Sequence, residues 1–195
     1  MAVQLKRKFF SAKEYLEQER TSPEKNEYFN GDIFAMAGAS RRHNLISGNV
    51  FSSLHTQLRK RPCEVYPSDM RVKIKKTGLY TYPDVVVICG KPQFEDSKKD
   101  VLLNPTVLVE VLSPSTEAYD RGDKFGHYRT ISTLSDYLLI AQSKILVEHY
   151  VRQPNNSWLL TLFSEPSQTV TIQTIECSLL LEEIYEKVNF EEEES

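Results

Sequence analysis

The stretch TVLVEVLSP, residues 106–114, constrains the fold more than any other part of the chain. Val107, Leu108, Val109, Val111 and Leu112 leave no polar face, and a short continuous apolar run of this kind reads as a strand buried on both sides. Such a strand demands covering layers above and below its sheet. Within it stands Glu110, which shares a face with Leu108 and Leu112 because side chains alternate along a strand. An unpaired charge there is strongly unfavourable. Three arrangements relieve it: the carboxyl keeps its proton, pairs with a base, or ligates a cation.

The rest of the chain supplies the layers. Ser11 and Glu14 have capping-box spacing, with Phe10 and Tyr15 at the staple positions, so a short helix is expected over 12–19. NEYFNGDIFAMA reads as a hairpin turning at Asn30-Gly31. HNLISGNVFSSLHTQLRKR carries Ile46, Val50, Leu54 and Leu58 at a spacing of four, an amphipathic helix that stops before Pro62. CEVYPSDMRVKIKK is a strand or a bent pair of strands, and YPDVVVICG is an apolar strand opened by proline. After a polar connection and the 106–112 strand, EAYDRGDKFGHYRTI reads as a helix and DYLLIAQ as a strand. ILVEHYVR and SWLLTLFS form a hairpin around Pro154-Asn155-Asn156, and SLLLEEIYEKV reads as a last helix. The central order is helix, strand, strand, strand, helix, strand: a mixed α/β domain over residues 1–190, followed by an acidic tail at 191–195 expected to be disordered.

Composition sets limits on this picture. With 195 residues, 40% hydrophobic and 26% charged, the chain can bury a sizeable core without staples. No apolar run approaches a membrane span, no signal-peptide pattern is present, and the cytoplasm is the expected compartment. Cys63, Cys89 and Cys177 are widely spaced and odd in number, which favours buried thiols over a disulfide framework or a zinc ribbon. The tail glutamates more than account for the net charge of −3, and the body carries basic clusters at Lys6-Arg7-Lys8, Arg41-Arg42, Arg59-Lys60-Arg61 and Arg71 to Lys76. Solvated surface charge is the simplest reading of those clusters. A nucleic-acid backbone is the functional one.

Asp84, just after Pro83, and Glu110 stand on neighbouring apolar strands. If the strands pair, the two carboxylates approach one another and repel unless a divalent cation lies between them, and hard cations such as Mg²⁺ take oxygen ligands of this type. Asp120, Lys124 and Tyr128 recur every four residues on one helix face, so Lys124 can reach over the strand ends. Glu27 in the first hairpin can extend a metal shell, and His43 at the start of the long helix can contact substrate or water. Each of these has a plainer role as well: strand-entry aspartate, core salt bridge, solvated lysine, hairpin glutamate, helix-terminal histidine. Ser113 and Ser115 look like capping residues, and no Ser-His-Asp arrangement marks either as a nucleophile.

YPDVVV, VLVEVLSPST and DRGDKFGHYR together resemble the family described as putative restriction endonucleases, within the PD-(D/E)XK nuclease superfamily. EYFNGDIFAMAGASRRHN is similar to that family's N-terminal region, and LVEHYVR with WLL to its C-terminal hairpin. The resemblance implies a restriction-endonuclease-like core with an N-terminal hairpin and a C-terminal hairpin plus helix. It implies Asp84 and Glu110 as the motif acids and Mg²⁺- or Mn²⁺-dependent hydrolysis of DNA. The superfamily pattern places a lysine two residues after the acid, where this chain has Leu112. Some members take that lysine from the following helix, which points to Lys124. On this expectation Asp84, Glu110 and the Val111 carbonyl hold the metal, with Glu27 beside them. Lys124 positions water, and His43, Arg41, Arg42, Arg71 and Lys73 contact the substrate. A second reading is a non-catalytic nucleic-acid-binding or assembly module of the same fold. A glycosidase pair is a third, disfavoured by the single tryptophan. Strands DYLLIAQ and ILVEHYV offer a route to a homodimer.

Overall fold

A computed structural model describes residues 9–191 of the protein. In chain order it contains α1 (Ala12–Glu19), β1 (Asn26–Phe29), β2 (Asp32–Ala35), α2 (Arg41–Leu58), β3 (Cys63–Pro67), β4 (Arg71–Lys73) and β5 (Tyr80–Thr81). There follow β6 (Val85–Cys89), β7 (Val101–Leu102), β8 (Val107–Leu112), α3 (Glu117–Tyr119), a π-helical turn (Asp120–Lys124) and α4 (Phe125–Tyr128). The chain continues through β9 (Asp136–Ala141), β10 (Val147–Arg152), β11 (Trp158–Phe163), β12 (Thr169–Ile172), a 3₁₀ turn (Gln173–Ile175), β13 (Cys177–Leu180) and α5 (Leu181–Ile184).

Local chemistry explains the first elements. Glu14 N–H donates to Ser11 Oγ while Ser11 N–H donates to Glu14 Oε2, closing the capping box that starts α1. Asn30 and Gly31, at φ 48° and 89°, make the β1–β2 turn, and both positions need the left-handed region. In α2, Ile46, Val50, Leu54 and Leu58 are all buried along one stripe, as their spacing requires.

Two sheets stack. The larger has the order β11-β10-β9-β8-β6-β3. Within it β8 and β9 are parallel, because the chain returns through α3, the π turn and α4; the other neighbours are antiparallel. Every residue of β8 is buried, as the apolar run demands. Val107, Val109 and Val111 face α2 and the β12–β13 hairpin. Leu108 and Leu112 face the opposite way, onto Val72 of the second sheet, Ile74 just after it and Tyr128 of α4. That second sheet has the order β2-β1-β5-β4-β7. Its far side packs Tyr28 and Tyr80 against Tyr15 and Leu16 of α1. Fully burying each such side chain is worth roughly 1.5–3 kcal/mol, so the sandwich around β8 dominates the stability of the fold.

Several expectations need correction. Cys63 and Cys89 form a disulfide and only Cys177 is a free, buried thiol. The pairing of β3 with β6 sets these two cysteines directly opposite one another, Cα to Cα 4.0 Å, a register that spacing in the sequence does not reveal. Residues 178–180 of the expected last helix are strand β13, and only one helical turn, α5, follows. The bent pair at 63–76 splits between the two sheets. The expected long helix at 117–131 is wound differently over Asp120–Lys124, where it becomes π-helical. DYLLIAQ and ILVEHYV are β9 and β10, each hydrogen-bonded on both sides, so neither has an open edge for a second copy; the edge strands of that sheet are β11 and β3. Lys6-Arg7-Lys8 and the tail from 192 onward lie outside the described residues. Among the described residues no helix is long and apolar enough to cross a membrane.

Closing a loop with a sequence separation of 26 residues should contribute about 2–4 kcal/mol. Cys63→Ser is therefore expected to lower the denaturation midpoint, as should reduction of the wild type. Unreduced, denatured protein should take up thiol label only at Cys177; labelling of all three cysteines would contradict the bridge.

Candidate active site

The central site is built where β6 and β8 end. Their register pairs Val85 with Val109 and Val86 with Leu108. Extended by one residue, it sets Asp84 opposite Glu110, on the face that carries Val86, Leu108 and Leu112. Pro83 has no N–H to continue the ladder. The Asp84 side chain takes over instead: Oδ2 accepts the Val111 N–H at 2.7 Å. Its other oxygen, Oδ1, lies 2.7 Å from Nε2 of His43 in the first turn of α2. Thus a helix on one face of the sheet and the neighbouring strand within it hold one carboxylate.

Glu110 is held from the other side. Tyr128 Oη donates to Glu110 Oε1 at 2.7 Å, and Lys124 Nζ lies 3.0 Å from the same oxygen. Lys124 is also 3.3 Å from Asp120 Oδ1 and 3.5 Å from Glu27 Oε1. Glu27 in turn accepts a short hydrogen bond from Thr81 in β5. The ammonium group therefore sits among three carboxylates drawn from β1, β8 and the π turn, with 7% of its side chain exposed. π-Helical turns occur disproportionately at functional sites, and this one carries both Asp120 and Lys124.

The charge balance is uneven. Burial raises the Glu110 carboxyl from 4.5 to about 8; Lys124 pulls against that, and Asp120 and Asp84 add to it. Burial also opposes the charge of Lys124, yet Glu110, Glu27 and Asp120 together outweigh it and hold the ammonium well above its ordinary value. Tyr128 is raised, first by burial and then by Glu110. One buried ammonium thus faces several carboxylates, and burial with the acidic neighbours favours the protonated form of Glu110.

The structure brings Asp84, Glu110, Lys124, Glu27 and His43 together. It buries Leu112, the residue at the usual lysine position, in the core. Arg41 and Arg42 open α2 next to His43, Arg41 exposed and Arg42 half-buried. Arg71 and Lys73 lie elsewhere. Arg71 is 5% exposed, donates twice to Tyr82 Oη and lies over the rings of Tyr15 and Tyr82. Lys73 is bound to Glu95 and lies over Tyr80. Sequence reasoning assigned no role to Thr81, or to Gln142, whose Oε1 accepts from the α2 cap Ser40 at 3.0 Å. Nothing local marks either residue, since both contacts bridge elements far apart in the chain. Tyr128 was visible through the four-residue recurrence with Asp120 and Lys124.

The fold is a mixed α/β sheet covered on both faces, with two acids at adjacent strand ends and a lysine beside them. The chain matches the Uma2 family model, described as "Putative restriction endonuclease", over residues 12–182, and it belongs to that family. Two relatives are uncharacterized proteins of Synechocystis sp. The first, sll1609, is 42% identical over 161 residues, covering 83% of this chain and 91% of its own. The second, slr1290, is 37% identical over 180 residues, covering 92% and 93%. Among solved structures, one titled a putative nuclease belonging to DUF820, from Anabaena variabilis, superposes with a TM-score of 0.71 at 17% identity. It covers 89% of this chain and 96% of its own, and at that identity the likeness establishes the restriction-endonuclease-like fold.

The titration of Glu110 has a stability consequence. Between its ordinary value of 4.5 and about 8, the folded state holds a proton that the unfolded state has released. In chelator, unfolding free energy should therefore fall as pH rises through that window, and Glu110→Gln should flatten the slope. Urea unfolding at several pH values measures it; an unchanged slope in Glu110→Gln would contradict the assignment.

Proposed function

We propose that the protein hydrolyses phosphodiester bonds of DNA with Mg²⁺ or Mn²⁺. The observation that carries this reading is the opposition of Asp84 and Glu110 at the ends of paired strands, with Lys124 3.0 Å from Glu110. The donor set suits a hard cation. Among the described residues no three His, Cys, Asp or Glu side chains form a cage of their own. Mg²⁺ is commonly held by one or two carboxylates while keeping waters and substrate oxygens, which matches Asp84, Glu110 and the Val111 carbonyl. The surplus of buried carboxylate over ammonium supports the same conclusion.

Bound there, the cation would supply an acidified water and charge compensation at the phosphoryl oxygens. The remaining work falls to the chain. His43 and the Val111 N–H fix the Asp84 carboxylate in one orientation. Tyr128 fixes Glu110. Glu27 and Asp120 keep Lys124 charged and aimed, so that it can hydrogen-bond the attacking water and the phosphate. Arg41 and Arg42 stand at the rim to contact the backbone, which makes binding weaken with salt.

One observation favours the second reading, a nucleic-acid-binding module without catalysis: both Asp84 oxygens already accept hydrogen bonds within the protein. Cleavage assays separate the two. Asp84→Ala and Glu110→Ala should each lower Mg²⁺-dependent cleavage of a labelled DNA by about 10³-fold or more while circular dichroism stays native. Lys124→Met should lose about 10²-fold in turnover with binding retained. Retained cleavage in Asp84→Ala or Glu110→Ala would refute the nuclease reading, and binding without cleavage by the wild type in both metals would select the module.

A further inference from the structure

Phe34 and Met36 are 50% and 37% exposed, yet their strand register ties them to the candidate site. Phe34 pairs directly with Glu27 across β2 and β1. The Tyr28–Tyr80 pairing of β1 with β5 places Glu27 beside Thr81, and Thr81 pairs with Val72 in β4. Residues opposite one another in antiparallel strands point to the same side. Phe34, Glu27, Thr81 and Val72 therefore form one row across the second sheet, on the side that packs against the larger sheet. The row is fully buried at Val72 and Thr81, reaches Lys124 through Glu27 at 3.5 Å, and emerges into solvent at Phe34. Met36, whose N–H donates to the Lys25 carbonyl, continues the same face one pair further on. An aromatic ring and a thioether thus stand exposed at the outer end of the face that carries Glu27.

Two of the four cations expected to grip a duplex are elsewhere. Arg71 and Lys73 are committed to Tyr82 and Glu95, and of the four basic residues assigned to substrate only Arg41 is exposed. Recognition is shifted from charge to flat apolar contact. A ring beside a phosphodiester-cutting centre stacks most readily on an unpaired base, because in a duplex both faces are covered and wedging between base pairs costs unstacking energy. Base–aromatic stacking tolerates any sequence and contributes strongly to single-strand binding.

We infer that Phe34, flanked by Met36, is a stacking platform for an unpaired nucleobase, and that the substrate of this site is single-stranded nucleic acid or a single-stranded stretch within a longer one. The inference rests on the nuclease reading and narrows its substrate. Phe34 is a substrate-binding and specificity-determining residue in this account. Its half-exposed side chain makes replacement compatible with folding.

The test is fluorescence anisotropy in EDTA with a short labelled DNA strand, an RNA strand of the same sequence, and the DNA duplex, run beside a Mg²⁺ cleavage assay on the same three. The single strands should bind more tightly than the duplex, and the DNA and RNA arms show which sugar is accepted. Phe34→Ala should weaken single-strand binding about 5- to 100-fold, and Phe34→Trp should restore it. Leu162→Ala, an exposed apolar change on the β11 edge, should have no effect. Preference for duplex, or single-strand affinity unchanged in Phe34→Ala, overturns this inference while Mg²⁺-dependent cleavage leaves the nuclease reading standing. Absence of both binding and cleavage on every substrate overturns both.

Discussion

A single buried ammonium group organises the site. Lys124 touches Glu110, Asp120 and Glu27, which come from a central strand, a π-helical turn and the second sheet. None of these partners could be removed alone without leaving a charge in a poorly solvated place, and breaking a buried pair from one side costs roughly 3–5 kcal/mol. The contact therefore locks the second sheet and the crossover helix onto the ends of β6 and β8. The result is also electrostatically unfinished, because Glu110 is pushed to about 8 despite its lysine. A site tuned for stability alone would have closed that balance with another base or an apolar residue.

The layers around this contact divide the labour. α2 covers one face of the larger sheet and delivers His43 to Asp84 at its first turn. The second sheet covers the other face and delivers Glu27 and Thr81. Asp84 and Glu110 are consequently fixed from opposite sides of the same strand pair. The lysine comes from the helix after β8 instead of from β8 itself, and Leu112 is free to fill the core. Moving the cation off the strand preserves its place beside the acid while leaving the strand wholly apolar apart from Glu110.

Much of this was legible in the chain, and the reasons for what was not are physical. The capping box of α1, the stripe on α2 and the unbroken burial of β8 are local patterns, written within a few residues of each other. Glu110 announced itself as a polar residue in an apolar run. By contrast β5 and β7 have two residues each, too short for any periodicity, so the second sheet could not be assembled from sequence. Nor could the Cys63–Cys89 bridge, which depends on the β3–β6 register. Arg71 and Lys73 stand in RVKIKK, which reads as an exposed basic strand. Tyr15, Tyr82 and Glu95, distant in sequence, turn those two residues into internal contacts.

The measurement that tests the account most directly is a crystal structure of the wild-type protein soaked in Mn²⁺, with the ion located by its anomalous signal. One ion should lie within about 2.0–2.6 Å of oxygens from both Asp84 and Glu110, the Lys124 ammonium still beside Glu110. A protein that takes up no ion between these two carboxylates, or that binds Mn²⁺ only elsewhere, would contradict it.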